Sequence, residues 1–259
     1  MPLFVVSDVH GHREALREAL REAGLTGADG RWAGQDAQLW LLGDYVDRGP
    51  DGIGVVDDIR RLTGEARATG GEVGALLGNH EVQLLAAHRF GHAPVAGWGR
   101  PGGFRELWAR YGGQAGDLRR LTPEHLAWIT ALPAMALVDG HLLMHSDTTR
   151  YLEFGRSVEA VNAAVAEALR GTDVDDWWEF VRRISGRGTF RADGGEDEAA
   201  VMLGVLGGEV IAHGHSTLIQ HFGVAAGDVR EAVRYAGGRV VAVDGGVFEG
   251  GRLLLTRLR

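Results

Sequence analysis

The chain of 259 residues contains no cysteine. Disulfides and thiolate metal sites are therefore excluded, so any bound metal must be held by oxygen and nitrogen. The same absence fits a cytoplasmic location. No apolar run approaches the roughly 18 residues that would span a bilayer, so no membrane partner is expected. The N-terminal Met1-Pro2-Leu3-Phe4-Val5-Val6 lacks the basic start and long apolar core of a signal peptide and reads as a first strand. An excess of positive charge is also missing. With 27 Lys and Arg against 35 Asp and Glu, the net charge is -8. Nothing in that balance offers a footprint for nucleic acid or an anionic membrane, and no nucleic acid binding is expected. What is present is an ordinary globular composition, 45% hydrophobic and 24% charged. The 41 glycines lie between periodic apolar segments and do not cluster into a linker. With no linker, internal repeat or low-complexity segment, residues 1–259 read as a single domain.

Apolar patterning divides the first third into alternating elements. Leu3 to Val6, Gln38 to Leu42 and Val73 to Leu77 read as strands. Between and after them, Arg13 to Ala23, Pro50 to about Thr69 and Glu81 to Ala87 read as helices. This alternation implies parallel pairing with right-handed crossovers, and ligands in such sheets bind beyond the carboxyl ends of the strands. Further on, Phe104 to Tyr111, Pro123 to Ala131, Val158 to Arg170 and Asp175 to Ile184 read as helices. Ala136 to Val138 and His141 to Met144 read as strands joined by a tight Asp139-Gly140 turn. Val210 to His213, Arg239 to Val243 and Arg252 to Leu258 are late strands, expected in a second sheet packed on the first.

Three segments sit at the ends of the first three strands: Asp8-Val9-His10-Gly11, Gly43-Asp44-Tyr45-Val46-Asp47-Arg48-Gly49 and Gly78-Asn79-His80-Glu81. Asp8 and His10 are two apart, so on extended backbone both face the same way and one metal can take both. Asp44 can bridge two cations, and Asn79 supplies a neutral amide oxygen. Such oxygen and imidazole ligands suit divalent manganese, iron or zinc. Two ions clamp phosphoryl oxygens and activate a bridging water for attack on phosphorus. His80 is placed to protonate the leaving oxygen, with Asp47 orienting its imidazole. Arg48 can bind two phosphate oxygens at once.

The three motifs together, Gly-Asp-Tyr-Val-Asp-Arg-Gly at 43–49 above all, resemble those of the phosphoprotein phosphatase family of calcineurin-like metallophosphoesterases. The resemblance in motif order runs from Asp8 to at least Ser216. It implies an α/β fold, a four-layer α/β/β/α sandwich of two mixed sheets flanked by helices. It also implies two divalent ions, manganese first, one held by Asp8, His10 and Asp44 and the other by Asp44, Asn79 and two later histidines. His145, after Leu142-Leu143-Met144, is the first of these. The last is His215, which matches a Gly-His-Ser register, in preference to His213. Asn79 would also face the substrate phosphate. A second phosphate-binding arginine is expected at Arg187, with Arg183 and Arg191 as rivals. Leu77 stands where eukaryotic members carry a basic residue, and Asp-Gly-Gly at 244–246 replaces their C-terminal Ser-Ala-Pro-Asn-Tyr, so the chain resembles bacterial members. The resemblance implies hydrolysis of phosphoesters, first of phosphoserine or phosphothreonine in a protein. Two alternatives stand beside it. One is symmetrical cleavage of a dinucleoside tetraphosphate, with room for nucleosides at about 90–116; the other is a catalytically silent module that binds phospho-ligands.

Overall fold

The computed structural model describes residues 1–98 and 102–259. In chain order the elements are β1 (Leu3–Val6), α1 (Arg13–Glu22), β2 (Gln38–Leu41), α2 (Gly52–Ala68), β3 (Glu72–Ala75) and α3 (Asn79–Phe90). Next come α4 (Phe104–Arg110), α5 (Ala115–Arg120), α6 (Pro123–Thr130), β4 (Met135–Val138), β5 (His141–Met144) and α7 (Val158–Ala168). The chain continues through α8 (Val174–Ile184), α9 (Gly195–Leu206), β6 (Val210–His213), α10 (Leu218–Phe222), β7 (Val233–Tyr235), β8 (Val240–Ala242) and β9 (Thr256–Arg257). Among the described residues, no helix is long and apolar enough to cross a membrane.

Two mixed sheets result. The first has the order β3-β2-β1-β9 and the second β4-β5-β6-β8-β7. The pairs β1–β2 and β2–β3 are parallel, as the strand–helix alternation requires, while β9 runs antiparallel to β1. In the second sheet β5–β6 and β6–β8 are parallel, with antiparallel edges at β4 and β7.

Strand periodicity sorts the core into layers, because successive side chains point to opposite faces. Val5, Leu143, Ala212 and Val241 meet between the sheets, joined by Leu42 and Leu76 just past β2 and β3. Their neighbours Val6, Leu142, Met144, Ile211 and Val240 turn outward into the helix-facing core. There Leu16 and Leu20 of α1, Val56 and Ile59 of α2, Val161 and Val165 of α7 and Met202 of α9 pack. The outcome is the four-layer arrangement that the resemblance implies: helices, sheet, sheet, helices.

Several boundaries differ from the sequence reading, for local reasons. The expected strand Arg252 to Leu258 shrinks to β9 and joins the first sheet beside β1, where Leu258 N–H bonds to Leu3 C=O. The third helix starts at Asn79, two residues earlier than expected. Glu81 reaches back to the Gly78 N–H and satisfies a donor that the helix start would otherwise leave open. The twelve-residue α9 and the short elements α5, α10 and β7 are not among the elements the sequence predicts. The Asp139-Gly140 turn does form, with both residues left-handed at φ 45° and 76°.

Candidate functional site

β1, β2, β3, β5, β6 and β8 all point their carboxyl ends to one edge of the sandwich, and the chain turns sharply at each. Nine non-glycine residues have left-handed backbone among those described, and six of them are here: Asp8, His10, Asp44, Asp47, Arg48 and His215; Asp8 and His10 are thus brought together by a turn and not, as expected, by extended backbone. Each such residue costs about 1–2 kcal/mol relative to ordinary backbone. That strain is held by close approach of the loops. A Cβ on Gly43, itself at φ 103°, would lie 2.7 Å from the Cα of Gly78, and one on Gly78 would lie 2.3 Å from the Asp44 nitrogen. Beneath them the buried Glu81 carboxylate accepts the N–H groups of Asp44 (2.9 Å), Tyr45 (2.7 Å), Val46 (3.3 Å) and Gly78 (3.0 Å). Burial, then the charge of Asp44, pushes Glu81 up to about 7.

The loops converge on two buried groups with Asp44 in common. His10, Asp44 and His80 form one, and Asp44, His145 and His215 the other; within each group the candidate ligand atoms lie within 4.8 Å of one another. His10 gives its Nδ1 proton to the Val46 carbonyl at 3.0 Å, which leaves the Nε2 lone pair facing inward. That Nε2 is buried and has no hydrogen-bond partner among the described residues. Asp8 Oδ1 and Asp44 Oδ2 stand 3.7 and 3.6 Å from it. These separations are too long for hydrogen bonds and suit atoms that share a cation. On the other side His145 donates Nδ1–H to the Leu42 carbonyl at 2.8 Å. Its Nε2 meets Asn79 Oδ1 at 2.9 Å and Asp44 Oδ1 at 3.3 Å. His215 Nε2 donates its proton to the Ser185 carbonyl at 3.1 Å, with Arg187 Nη2 beside it at 2.9 Å, which leaves the Nδ1 lone pair for the cluster.

Electrostatics agree with a cation-binding donor set. Burial works to raise Asp44, but the imidazoles of His145 and His80 hold it well below the usual carboxylate range. Burial, reinforced by neighbouring positive charge, drives His10 and His215 well below the ordinary histidine value, which keeps them neutral and able to ligate. His145 is lowered by burial yet raised further by Asp44, to about 9: acceptor atoms that attract a proton there attract a metal as well. The residues present thus fit divalent metal ions, which the family described below implies.

Asp47 Oδ2 and His80 Nδ1 are 2.7 Å apart, and His80 Nε2 faces Arg48 Nη2 at 3.2 Å. Arg48 lies 3.8 Å over the ring of Phe248. An open cleft of about 370 Å³ covers this face, lined by Arg48, Arg110, Tyr111, Arg187, His215 and Phe248 among others. A larger groove of about 970 Å³ lies far from this chemistry, between α1 and α2, where Arg13 and Arg17 pair with Asp58.

Of the residues singled out from sequence, Asp8, His10, Asp44, Asn79, His80, His145 and His215 converge here, with Asp47, Arg48 and Arg187 around them. His213 does not. It donates Nδ1–H to the Gly214 carbonyl at 2.8 Å and accepts the Tyr235 hydroxyl at 2.7 Å, so both ring nitrogens are occupied. Arg183 is held by Glu153 and Glu179, and Arg191 bonds the His221 carbonyl while facing Asp147. Positions 99–101 of the expected nucleoside-accommodating stretch lie outside the described residues. Sequence reading missed Glu81 as an organiser, although its capping-box spacing from Gly78 signals a helix start. It also missed Trp108, Arg110 and Phe248, which arrive from distant segments and carry no local signature.

Comparison with known proteins places the chain among relatives of one fold. Shewanella-like protein phosphatase 2 of Arabidopsis thaliana is 35% identical over 83 residues, 32% of this chain and 21% of the relative. A symmetrical bis(5'-nucleosyl)-tetraphosphatase of Bordetella pertussis is 28% identical over 184 residues, 71% of this chain and 56% of the relative. The chain thus spans from about a fifth to just over half the length of these curated relatives. Among solved structures, a cold-active protein-tyrosine phosphatase of a psychrophilic Shewanella superposes with TM-score 0.75 at 20% identity, covering 100% of this chain and 75% of that one. A protein serine/threonine phosphatase of Saccharomyces cerevisiae gives 0.56 at 15% identity, covering 95% of this chain and 67% of that one. At these identities the likeness speaks to fold alone. Residues 1–218 match the family described as calcineurin-like phosphoesterase, and the chain belongs to that family.

Proposed function

We propose that the protein is a metal-dependent phosphatase that hydrolyses phosphomonoesters, with phosphoserine or phosphothreonine of a protein as its first substrate class. One observation carries this reading: two buried ligand groups share Asp44 directly beneath a cleft that presents Arg48 and Arg187. Asp8, His10 and Asp44 would hold one divalent ion, and Asp44, Asn79, His145 and His215 a second, manganese being the first choice. When bound, such ions supply Lewis-acid polarisation of phosphoryl oxygens and lower the pKa of water to near neutrality.

The chain's own residues supply the rest. Arg48 and Arg187 neutralise and orient the phosphate, with the Arg48 guanidinium kept in place by the Phe248 ring beneath it. Asn79, whose Oδ1 lies 2.9 Å from His145 Nε2, would offer its amide N–H to the same phosphate. His80 offers a proton to the leaving oxygen from Nε2, while its other nitrogen is fixed by Asp47. We further propose that residues 1–259 work as one catalytic unit in the cytoplasm.

Cleavage of a dinucleoside tetraphosphate is a second reading, favoured by the 28% identity to the Bordetella enzyme and by a third arginine, Arg110, at the cleft. Turnover of phosphoserine, phosphothreonine and phosphotyrosine peptides, diadenosine tetraphosphate and 4-nitrophenyl phosphate, each with added manganese, tests these readings. The first predicts the highest kcat/KM on a phosphoserine or phosphothreonine peptide. Preference for the dinucleotide would replace it, and turnover of 4-nitrophenyl phosphate alone would show both substrate classes to be too narrow. No turnover at all would favour a silent phospho-ligand module, which the intact donor set argues against.

A further inference from the structure

Asp47 and Arg48 are consecutive left-handed residues, at φ 69° and 66°. Neither has a short side chain that hydrogen-bonds its own backbone here, so the pair needs support from elsewhere. One short segment supplies two such contacts. The Trp108 indole N–H donates to Asp47 Oδ1 at 2.7 Å, and the Arg48 backbone N–H donates to the Gly112 carbonyl at 2.7 Å. The segment is itself tightly closed. Gly113 N–H bonds back to the Trp108 carbonyl at 2.9 Å, and a Cβ on Gly113 would lie 2.2 Å from the indole Cδ2. A Cβ on Gly112, at φ 100°, would lie 2.7 Å from Arg48 Cγ.

The two oxygens of Asp47 are thus divided between partners: Oδ1 to Trp108 and Oδ2 to His80 Nδ1. Both Asp47 and Trp108 are buried, at 0% and 2% exposure, so bulk solvent does not reach this hydrogen bond. A carboxylate bound only to an imidazole can turn about its last bond and carry the ring with it. Held at both oxygens, it fixes the ring plane and so the direction of Nε2 toward the cleft. Packing alone would be served by a phenyl ring; the aimed N–H is the part that packing does not explain.

We propose that Trp108 is a positioning residue for the reaction, holding Asp47 and, through it, His80 in the direction needed for proton transfer to the leaving oxygen. The proposal rests on the reading of His80 as proton donor.

The test compares Trp108→Phe, Gly113→Ala and His80→Asn as manganese-loaded enzymes. Each is assayed on an alkyl phosphomonoester, whose leaving group needs a proton, and on 4-nitrophenyl phosphate, whose leaving group does not. Proton donors contribute about 10²–10⁴-fold, so His80→Asn should lose that much on the alkyl ester and little on the aryl ester. Trp108→Phe should lose roughly ten- to hundredfold in kcat on the alkyl ester, with the aryl rate and bound metal unchanged. Added to His80→Asn, it should cost nothing further, as expected of residues acting in one chain. Gly113→Ala, which displaces the indole and leaves it intact, should give the same selective loss, and it decides the matter where Trp108→Phe lowers the melting temperature severely. It should also shift the Trp108 indole N–H resonance and speed its exchange, a readout independent of activity. If His80→Asn is selective but both segment variants keep the wild-type alkyl rate, or lose both substrates equally, the positioning role of Trp108 is overturned and the proton donor stands. If His80→Asn loses both substrates equally, the proton-donor reading itself is overturned.

Discussion

Glu81 Oε2 accepts the backbone N–H of Asp44 at 2.9 Å, tying the residue shared by both ligand groups to the first turn of α3. The same carboxylate takes three further N–H groups, from Gly78, Tyr45 and Val46. Only an acceptor at both oxygens satisfies them. Glu81→Gln replaces one oxygen with a donor and sets it against backbone N–H. The expected cost is about 2–4 kcal/mol of folding stability, the range for leaving part of a buried charged network unpaired. Urea denaturation of the metal-free protein well above pH 7, where Glu81 is ionised, measures it; wild-type stability in that variant would show that the four hydrogen bonds do not hold the loops together.

Metal content separates the roles of the neighbouring histidines. About two divalent ions per chain are expected from elemental analysis after gel filtration in manganese. Asp44→Asn, at the shared position, should lower that to less than about one. His215→Ala should lose one ion, while His213→Ala should keep both, because the His213 nitrogens are engaged by Gly214 and Tyr235. Loss of metal in His213→Ala with retention in His215→Ala would reverse the assignment.

How far sequence alone reaches can be read from these residues. Asp8, Asp44 and Asn79 were legible because each ends an apolar run, and in a parallel sheet all such ends share one edge. His145 and His215 follow strands of the second sheet and were reachable only through family resemblance, since nothing local says that two separate sheets align their edges. β9 was assigned to the wrong sheet because a two-residue strand carries no pattern that names its neighbour. Trp108 and Phe248 were out of reach for a different reason. Their relation to Asp47, Arg48 and His10 is purely tertiary: the indole N–H finds a carboxylate 61 positions away, and the Phe248 ring meets His10 edge-on with centroids 5.1 Å apart.

Two of the candidate arginines are distinguished by what already holds them. Arg187 reaches the cleft and touches His215, whereas Arg183 is tied down by Glu153 and Glu179. Arg187→Ala should therefore raise KM for a phosphopeptide by roughly tenfold or more, the size of a lost charge-assisted contact to phosphate. Arg183→Ala should change KM by less than about twofold, since exposed ion pairs contribute little. Steady-state kinetics on one phosphopeptide compares them directly, and an equal effect in both variants would remove Arg187 as the second phosphate clamp.

Far from the cleft, Asp58 links α2 to α1 through Arg13 and Arg17, each with Nε at 2.8 Å from the carboxylate. Burial alone would raise Asp58, but the hydrogen bonds and charges of the two guanidinium groups bring it down to about 2, from an ordinary value of 3.8. A carboxyl whose folded value is depressed adds stability in full above its unfolded value and loses it as pH falls through the folded one. The contribution should thus be complete above about pH 4 and disappear toward pH 2. Its size should be about 1–2 kcal/mol, less than the full linkage value because both arginines retain contact with water that screens the pair. Asp58→Asn removes it. Thermal melts of wild type and variant should differ by several degrees at pH 7 and converge as pH approaches 2, with activity at pH 7 well below the melt unchanged. A difference that stays constant across that range would assign the loss to packing at the α1–α2 contact and not to the charge of Asp58.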